Sequence, residues 1–244
     1  MPEKIDIHGV MIDNVNMKEA LDIVLDMMKG KSANKIFTPN AEIIMQANRD
    51  PELLNILNSA ELLVPDGAGV ILASRILKNR LKEKVSGIDL VKKILSHTEK
   101  RSTSFFIFGG KPGVAEKASI NILSDYPKAR INGFRNGYFE ESEIPEIIKQ
   151  INDSRADVLL VGLGAPKQEK WIHRYAGQLN SKVIMGIGGA IDVFAGTAAL
   201  APEFMRKAGL EWLFRLIKEP RRYKRMMDLP RFMILTLKKK FKKH

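Results

Sequence analysis

The chain has 244 residues, 45% hydrophobic and 28% charged, with 40 Lys/Arg against 28 Asp/Glu and a net charge of +12. This is the composition of an ordered globular protein, which excludes a disordered or collagenous chain, and no run approaches the ~18 apolar residues of a spanning helix. The absence of cysteine excludes disulfides and thiolate zinc sites.

The first residues alternate charge with apolar groups, so no secretory leader is expected; with the missing cysteines this points to the cytoplasm. Asn16 followed by Glu19 reads as a capping box opening a helix that ends near Lys29-Gly30. A short strand is predicted over 35–38, then a helix capped by Asn40 and running toward Asn48. A strand over 61–64 closes at Pro65-Asp66-Gly67 and leads into a helix from about Gly69 to Asn79; Ser86 caps the next. The most apolar strands cover 104–108, 157–161 and 182–187, each followed by glycines and a helix. Strands apolar on both faces that alternate with amphipathic helices predict an α/β, Rossmann-like fold over residues 1–195, a parallel sheet covered by helices on both faces.

From Gly196 onward the pattern is helical only, with segments predicted over 202–218, 220–228 and 230–242, Pro202 and Pro220 each suiting a first turn. These last 49 residues hold 14 Lys/Arg and 4 Asp/Glu, so 196–244 carries +10 of the net charge. The cations alternate with Leu210, Trp212, Phe214, Ile217, Met226, Phe232, Leu237 and Phe241. A basic, amphipathic helical appendage of this kind suits an anionic membrane surface or a phosphate-rich ligand. Trp212, Phe214 and Ile217 have three alternative partners: lipid, a second subunit in a homo-oligomer (dimer or higher), or the core's own crevice.

Ligands of open α/β sheets bind at the carboxyl ends of the strands. Here those ends read Thr38-Pro39-Asn40-Ala41-Glu42, Pro65-Asp66-Gly67, Gly109-Gly110-Lys111, Gly162-Leu163-Gly164-Ala165-Pro166-Lys167-Gln168-Glu169 and Gly188-Gly189-Ala190-Ile191-Asp192. None is a Gly-x-Gly-x-x-Gly fingerprint or a Walker loop, so neither a dinucleotide nor ATP is supported. The four histidines show no ligand spacing, and no metal or other cofactor is expected. Asp66 is placed to take a proton from a substrate hydroxyl, with an Asx-turn or helix cap as its alternative role. Thr38 and Asn40 would offer a hydroxyl and an amide to sugars, or cap helices. Asp192 sits at a helix start, where capping competes with ligand binding. Gln168 or Glu169 can point into the crevice, while Trp171 and Ile172 read as core. Tyr138 can stack on a base. Arg215, Arg222 and Arg225 share a face if their helices join smoothly around Pro220, and a diphosphate leaving group would use such planar cations.

Taken in order, these loops apart from Gly109-Gly110-Lys111, with Ser86-Gly87-Ile88-Asp89-Leu90, Asn136-Gly137-Tyr138-Phe139, Gly209-Leu210-Glu211-Trp212 and Glu219-Pro220-Arg221-Arg222, resemble the TagA/WecG/CpsF family of bacterial glycosyltransferases over nearly the whole chain. The resemblance implies an inverting, metal-independent transfer of N-acetylmannosamine from UDP-ManNAc to the 4-hydroxyl of GlcNAc on undecaprenyl diphosphate, forming a β-1,4 bond. That step belongs to wall teichoic acid linkage-unit synthesis, at the inner face of the plasma membrane. Another UDP-sugar, such as the ManNAc uronate or a hexose, is the alternative donor. Asp66 would be the catalytic base, with Thr38, Asn40 and Gln168 near the sugars. Tyr138, Gly188, Gly189 and Asp192 would meet the uridine side, and Arg215, Arg222 and Arg225 the diphosphate. One departure is Leu200-Ala201-Pro202, where many members carry Arg-Ala-Pro; its work would be lost or moved to Arg206 or Arg215. A nucleic-acid binder, a dinucleotide-dependent oxidoreductase and a non-catalytic membrane scaffold are the rival classes. The first lacks a recognition motif and the second rests on fold alone; the third requires a decayed crevice, yet Asp66 and its neighbours are intact.

Overall fold

The computed structural model describes residues 2–98 and 102–242. Six parallel strands form the central sheet in the order β4-β3-β8-β7-β5-β6: β3 (Asn34–Phe37), β4 (Leu62–Leu63), β5 (Ser104–Gly109), β6 (Arg130–Arg135), β7 (Val158–Gly162) and β8 (Val183–Gly186). A two-stranded hairpin, β1 (Lys4–Ile7) and β2 (Val10–Asp13), stands apart from it. Positive φ at His8 and Gly9 gives this hairpin the tight turn that matches strand twist.

Successive strand residues point to opposite faces, and both faces are dry. Phe106 and Phe108 join the layer of α2 (Ala41–Ala47), α3 (Pro51–Asn58), α4 (Ala68–Ile76), α7 (Ile144–Asp153) and α8 (Lys167–Tyr175). Phe105 and Ile107 join the layer of α1 (Met17–Met27), α5 (Gly87–His97), α6 (Val114–Asp125) and α9 (Ala190–Phe194). The parallel α/β sheet with helices on both faces is thus as expected. The Asn16 side chain accepts from the Glu19 N–H at 2.8 Å, and the Glu19 carboxylate accepts from the Asn16 N–H at 3.0 Å, completing the capping box. Ser86 precedes α5 but makes no side-chain cap bond, against expectation.

The C-terminal helices differ from their predicted bounds. The expected helix over 202–218 is two, α10 (Glu203–Lys207) and α11 (Glu211–Lys218). Gly209 separates them at φ +73°, where a Cβ would come within 2.6 Å of the Ala68 Cβ, so the chain turns against α4. Pro220 keeps Glu219 out of the helical region, at φ −133° and ψ 78°, leaving 220–228 as a 3-10 turn (Pro220–Arg222), the short α12 (Tyr223–Met226) and the start of the last helix. The last helix, α13 (Asp228–Lys242), begins before Pro230 because a proline fits a first turn.

This last helix is stitched into the body. Arg49 donates to both carboxylate oxygens of Asp228, at 2.8 and 2.6 Å. Phe232 is fully buried and meets the His8 ring edge-on at 5.1 Å. The Thr236 hydroxyl donates to the Phe232 carbonyl at 2.8 Å, so His8 Nε2, 2.8 Å from the same oxygen, must be the protonated nitrogen that donates to it. Burial holds the His8 pKa below its usual value, with Lys239 adding to the effect. Lys239 closes the row on Asp6 at 3.0 Å. Truncation of a buried ring leaves a cavity, so Phe232→Ala should cost about 3–5 kcal/mol in urea unfolding. Ile234→Ala, on the exposed side of the same helix, should stay within ~0.5 kcal/mol.

Candidate active site

The carboxyl ends of β3, β4 and β8 open into a cleft of about 210 Å³ that α11 and α12 roof over. Asp66 follows β4 on the cleft wall, beside Gly67 and the start of α4. Burial drives its carboxyl pKa up to about 6. Arg215 above it opposes that rise, Glu211 adds to it, and the Gly87 N–H and Lys84 pull back more weakly. Thr38, at the end of β3, packs on the first turn of α5. A Cβ on Gly87 would sit 3.1 Å from its hydroxyl, so glycine there lets the two loops share the wall.

The amides are partly committed. Asn40 Oδ1 accepts from the Ile43 N–H at 3.0 Å, which makes Asn40 the cap of α2 and leaves its NH2 for the cleft. Gln168 Oε1 accepts from Gly188 N–H at 2.9 Å, tying α8 to the loop after β8, and its Nε2 donates to Glu169 Oε1 at 2.8 Å. One Gln168 N–H is left over. Glu169 is buried beneath it, and burial raises its pKa. Trp171 and Ile172 are core, as read from the sequence.

Arg215 and Arg225 both line the cleft, although the helices carrying them are broken between Lys218 and Tyr223. The turn at Glu219 brings them together, not the helical spacing that the sequence suggested. The Arg222 side chain lies outside the described residues. Arg225 forms an ion pair with Glu42, and Lys84 another with Glu211. Leu200, in the Leu200-Ala201-Pro202 stretch, lines the cleft; Arg206 turns away to Asp89 at 3.6 Å, while Arg215 stands near Asp66.

Thr38, Asn40, Asp66, Gln168, Gly188, Gly189, Arg215 and Arg225 therefore meet in one cleft. Tyr138 and Asp192 are not on its wall. Tyr138 is 65% exposed on the loop after β6, where Gly137 N–H donates to Gly110 O at 2.8 Å. Asp192 stands behind Gly189, within the first turn of α9, but its carboxylate does not cap that helix. Burial raises its pKa; Glu219 adds to the rise, and Lys111 opposes it. Trp212 lines the cleft, so one of the appendage's aromatic groups serves the core's own crevice, while Ile217 is 64% exposed. Sequence reasoning did not single out Glu42, Glu211 or Lys84, although the first two lie inside the quoted motifs and the third just ahead of Ser86.

The model of the Glycosyl transferase WecG/TagA/CpsF family matches residues 5–244. The N-acetylglucosaminyldiphosphoundecaprenol N-acetyl-beta-D-mannosaminyltransferase of Bacillus subtilis (strain 168) is 35% identical over 233 residues, covering 95% of this chain and 90% of its own. Its namesake from Staphylococcus aureus (strain MRSA252) is 34% identical over 98% of this chain and 95% of its own. A near-full-length match with all the loops that build the cleft places this chain in the WecG/TagA/CpsF family of glycosyltransferases.

Proposed function

We propose that the chain transfers N-acetylmannosamine from UDP-ManNAc to the 4-hydroxyl of the GlcNAc on undecaprenyl diphosphate, an early step of wall teichoic acid linkage-unit synthesis. The observation that carries this reading is the Asp66 carboxylate, set by burial to a raised pKa and placed beside Arg215 in a cleft built from the family's motifs. The name that the relatives bear supports the acceptor. With a pKa of about 6, Asp66 is mostly ionised at neutral pH and still basic enough to assist an attacking hydroxyl.

The reaction is a single inverting displacement. Asp66 takes the proton as the acceptor oxygen attacks the anomeric carbon, and UDP departs from the opposite face. One carboxylate suffices, because the second displacement of a retaining mechanism is not needed. Arg215 and Arg225 offset the charge that grows on the departing diphosphate, which is how the reaction proceeds without a metal in this scheme. Thr38, the Asn40 NH2 and the remaining Gln168 N–H orient the sugars. Gly188 and Gly189 offer backbone to the nucleotide, with Tyr138 and Asp192 reaching it from outside the wall; Arg222 keeps the diphosphate role that the family resemblance implies.

The division of labour falls near residue 195. The segment 196–244 completes the cleft and docks the enzyme on the inner face of the plasma membrane. No described helix is long and apolar enough to cross a bilayer. Phe204, Ile217, Tyr223, Met227 and Phe241 are each at least half exposed among lysines and arginines of α10–α13. Apolar groups at the acyl boundary with cations at anionic headgroups add about 1 kcal/mol per Lys/Arg near the surface.

In UDP-release assays with UDP-ManNAc and a short-chain prenyl-diphosphate GlcNAc, Asp66→Asn should lower kcat by ~10²–10⁴ with little change in UDP affinity. Wild-type turnover in the folded variant would remove the assignment, and release from another UDP-sugar alone would redirect the pathway. Because the base works ionised, kcat/KM should climb about tenfold per pH unit below pH ~6 and level off above it, and the limb should vanish in the Asn variant. Phe204→Glu with Ile217→Glu should abolish sedimentation with phosphatidylglycerol vesicles without shifting the melting temperature. Undiminished sedimentation would locate membrane contact elsewhere.

A further inference from the structure

The two cleft arginines are held differently. Among the described residues Arg215 makes no ion pair, and it faces Asp66. Arg225 instead arrives already engaged: its Nε pairs with Oε1 of Glu42, an α2 residue only 7% exposed on the cleft wall. Gln46 Nε2, one turn further along α2, lies 3.4 Å from the same Glu42 oxygen. A second carboxylate, Glu169, lies behind, close enough for its charge to be felt by Arg225. It is 1% exposed, one oxygen accepts from Gln168, and the other, Oε2, has no hydrogen-bond partner.

A guanidinium offers several N–H groups in a planar fork. Using the Nε–H for Glu42 leaves the two Nη groups for a ligand, and fixes the plane in which they lie. The same carboxylate is also a negative charge beside any phosphate that those Nη groups bind. We propose that Glu42 is a positioning residue for Arg225 that also sets how tightly the cleft grips a nucleoside diphosphate, by competing with it for the guanidinium. This rests on the reading above, in which Arg225 meets the donor's diphosphate. It deepens that reading by giving the enzyme a built-in means of letting the product go. After transfer, the diphosphate gains a negative charge and would be held harder by two uncompensated arginines. With Glu42 in place, Arg225 has an alternative anion to return to.

The two roles of Glu42 separate by substitution. Glu42→Gln keeps an oxygen to accept from the Nε–H but removes the competing charge. UDP should then bind roughly three- to tenfold tighter, a modest gain because Arg225 is 44% exposed and its interactions are screened. Glu42→Ala removes the hold as well and should weaken UDP binding below wild type. Both effects should vanish in an Arg225→Ala background, where UDP binds more weakly from the start. Titration calorimetry of the full-length protein with UDP reads all of these, with melting temperatures recorded beside them. Unchanged or weaker binding in a folded Glu42→Gln, or tightening that persists without Arg225, overturns the proposal while leaving the transferase reading intact. Failure of the wild type to bind UDP overturns both. A purely structural Glu42 predicts loss in both variants and no tightening in either.

Discussion

Everything distinctive about the cleft depends on how the last helix is seated. Phe232 beneath it and the bidentate Arg49–Asp228 pair at its start fix α13 against α2, α4 and the hairpin turn. From that anchor the chain leads back through α12 and α11, which lie over the ends of β3 and β4. The roof helps enclose Asp66, which would otherwise sit at the end of a strand. Because the roof is in place, burial outweighs the pull of Arg215 and Lys84 and makes the group a better base. The segment that reads as a basic appendage is thus also the source of the low dielectric in which the site works.

The cleft is not simply cationic. Asp66, Glu42 and Glu211 face Arg215 and Arg225 across it, and Lys84 braces Glu211 from behind. Glu211 and Arg225 are thus each held by an opposite charge of the body before any ligand arrives. This explains why α11 and α12 can be short and interrupted. They are located by ion pairs to the body, Glu211 to Lys84 and Arg225 to Glu42, rather than by a continuous helix.

Much of the scaffold was legible in the chain. Strands buried on both faces carry unbroken apolar runs, and 104–108, 157–161 and 182–187 announced β5, β7 and β8 within a residue or two. Capping signals at Asn16 and Asn40 are local chemistry and held. Three strands escaped notice for physical reasons. The edge strand β6 alternates exposed and half-buried residues and includes Arg130, Asn132 and Arg135, so it has no apolar run to find. The hairpin strands β1 and β2 are four residues each, too short to stand out, and are packed by α3, α4 and β4.

The sequence by itself determined the alternation of strand and helix, the family, and the order of polar loops at the strand ends, because these depend on neighbours along the chain. It also determined that positive charge collects after Gly196. Only the tertiary structure decided which loops share a wall. It joined Thr38 to Gly87, set Asp66 beneath Arg215, and left Tyr138 and Asp192 outside. It likewise turned a predicted helix into two at Gly209, since the clash that bends the chain there comes from Ala68, far away in sequence. Hydrophobic periodicity and capping are local properties. Desolvation, ion pairing and steric approach depend on residues distant in sequence, and they are settled only when the last helix packs onto the sheet's flank.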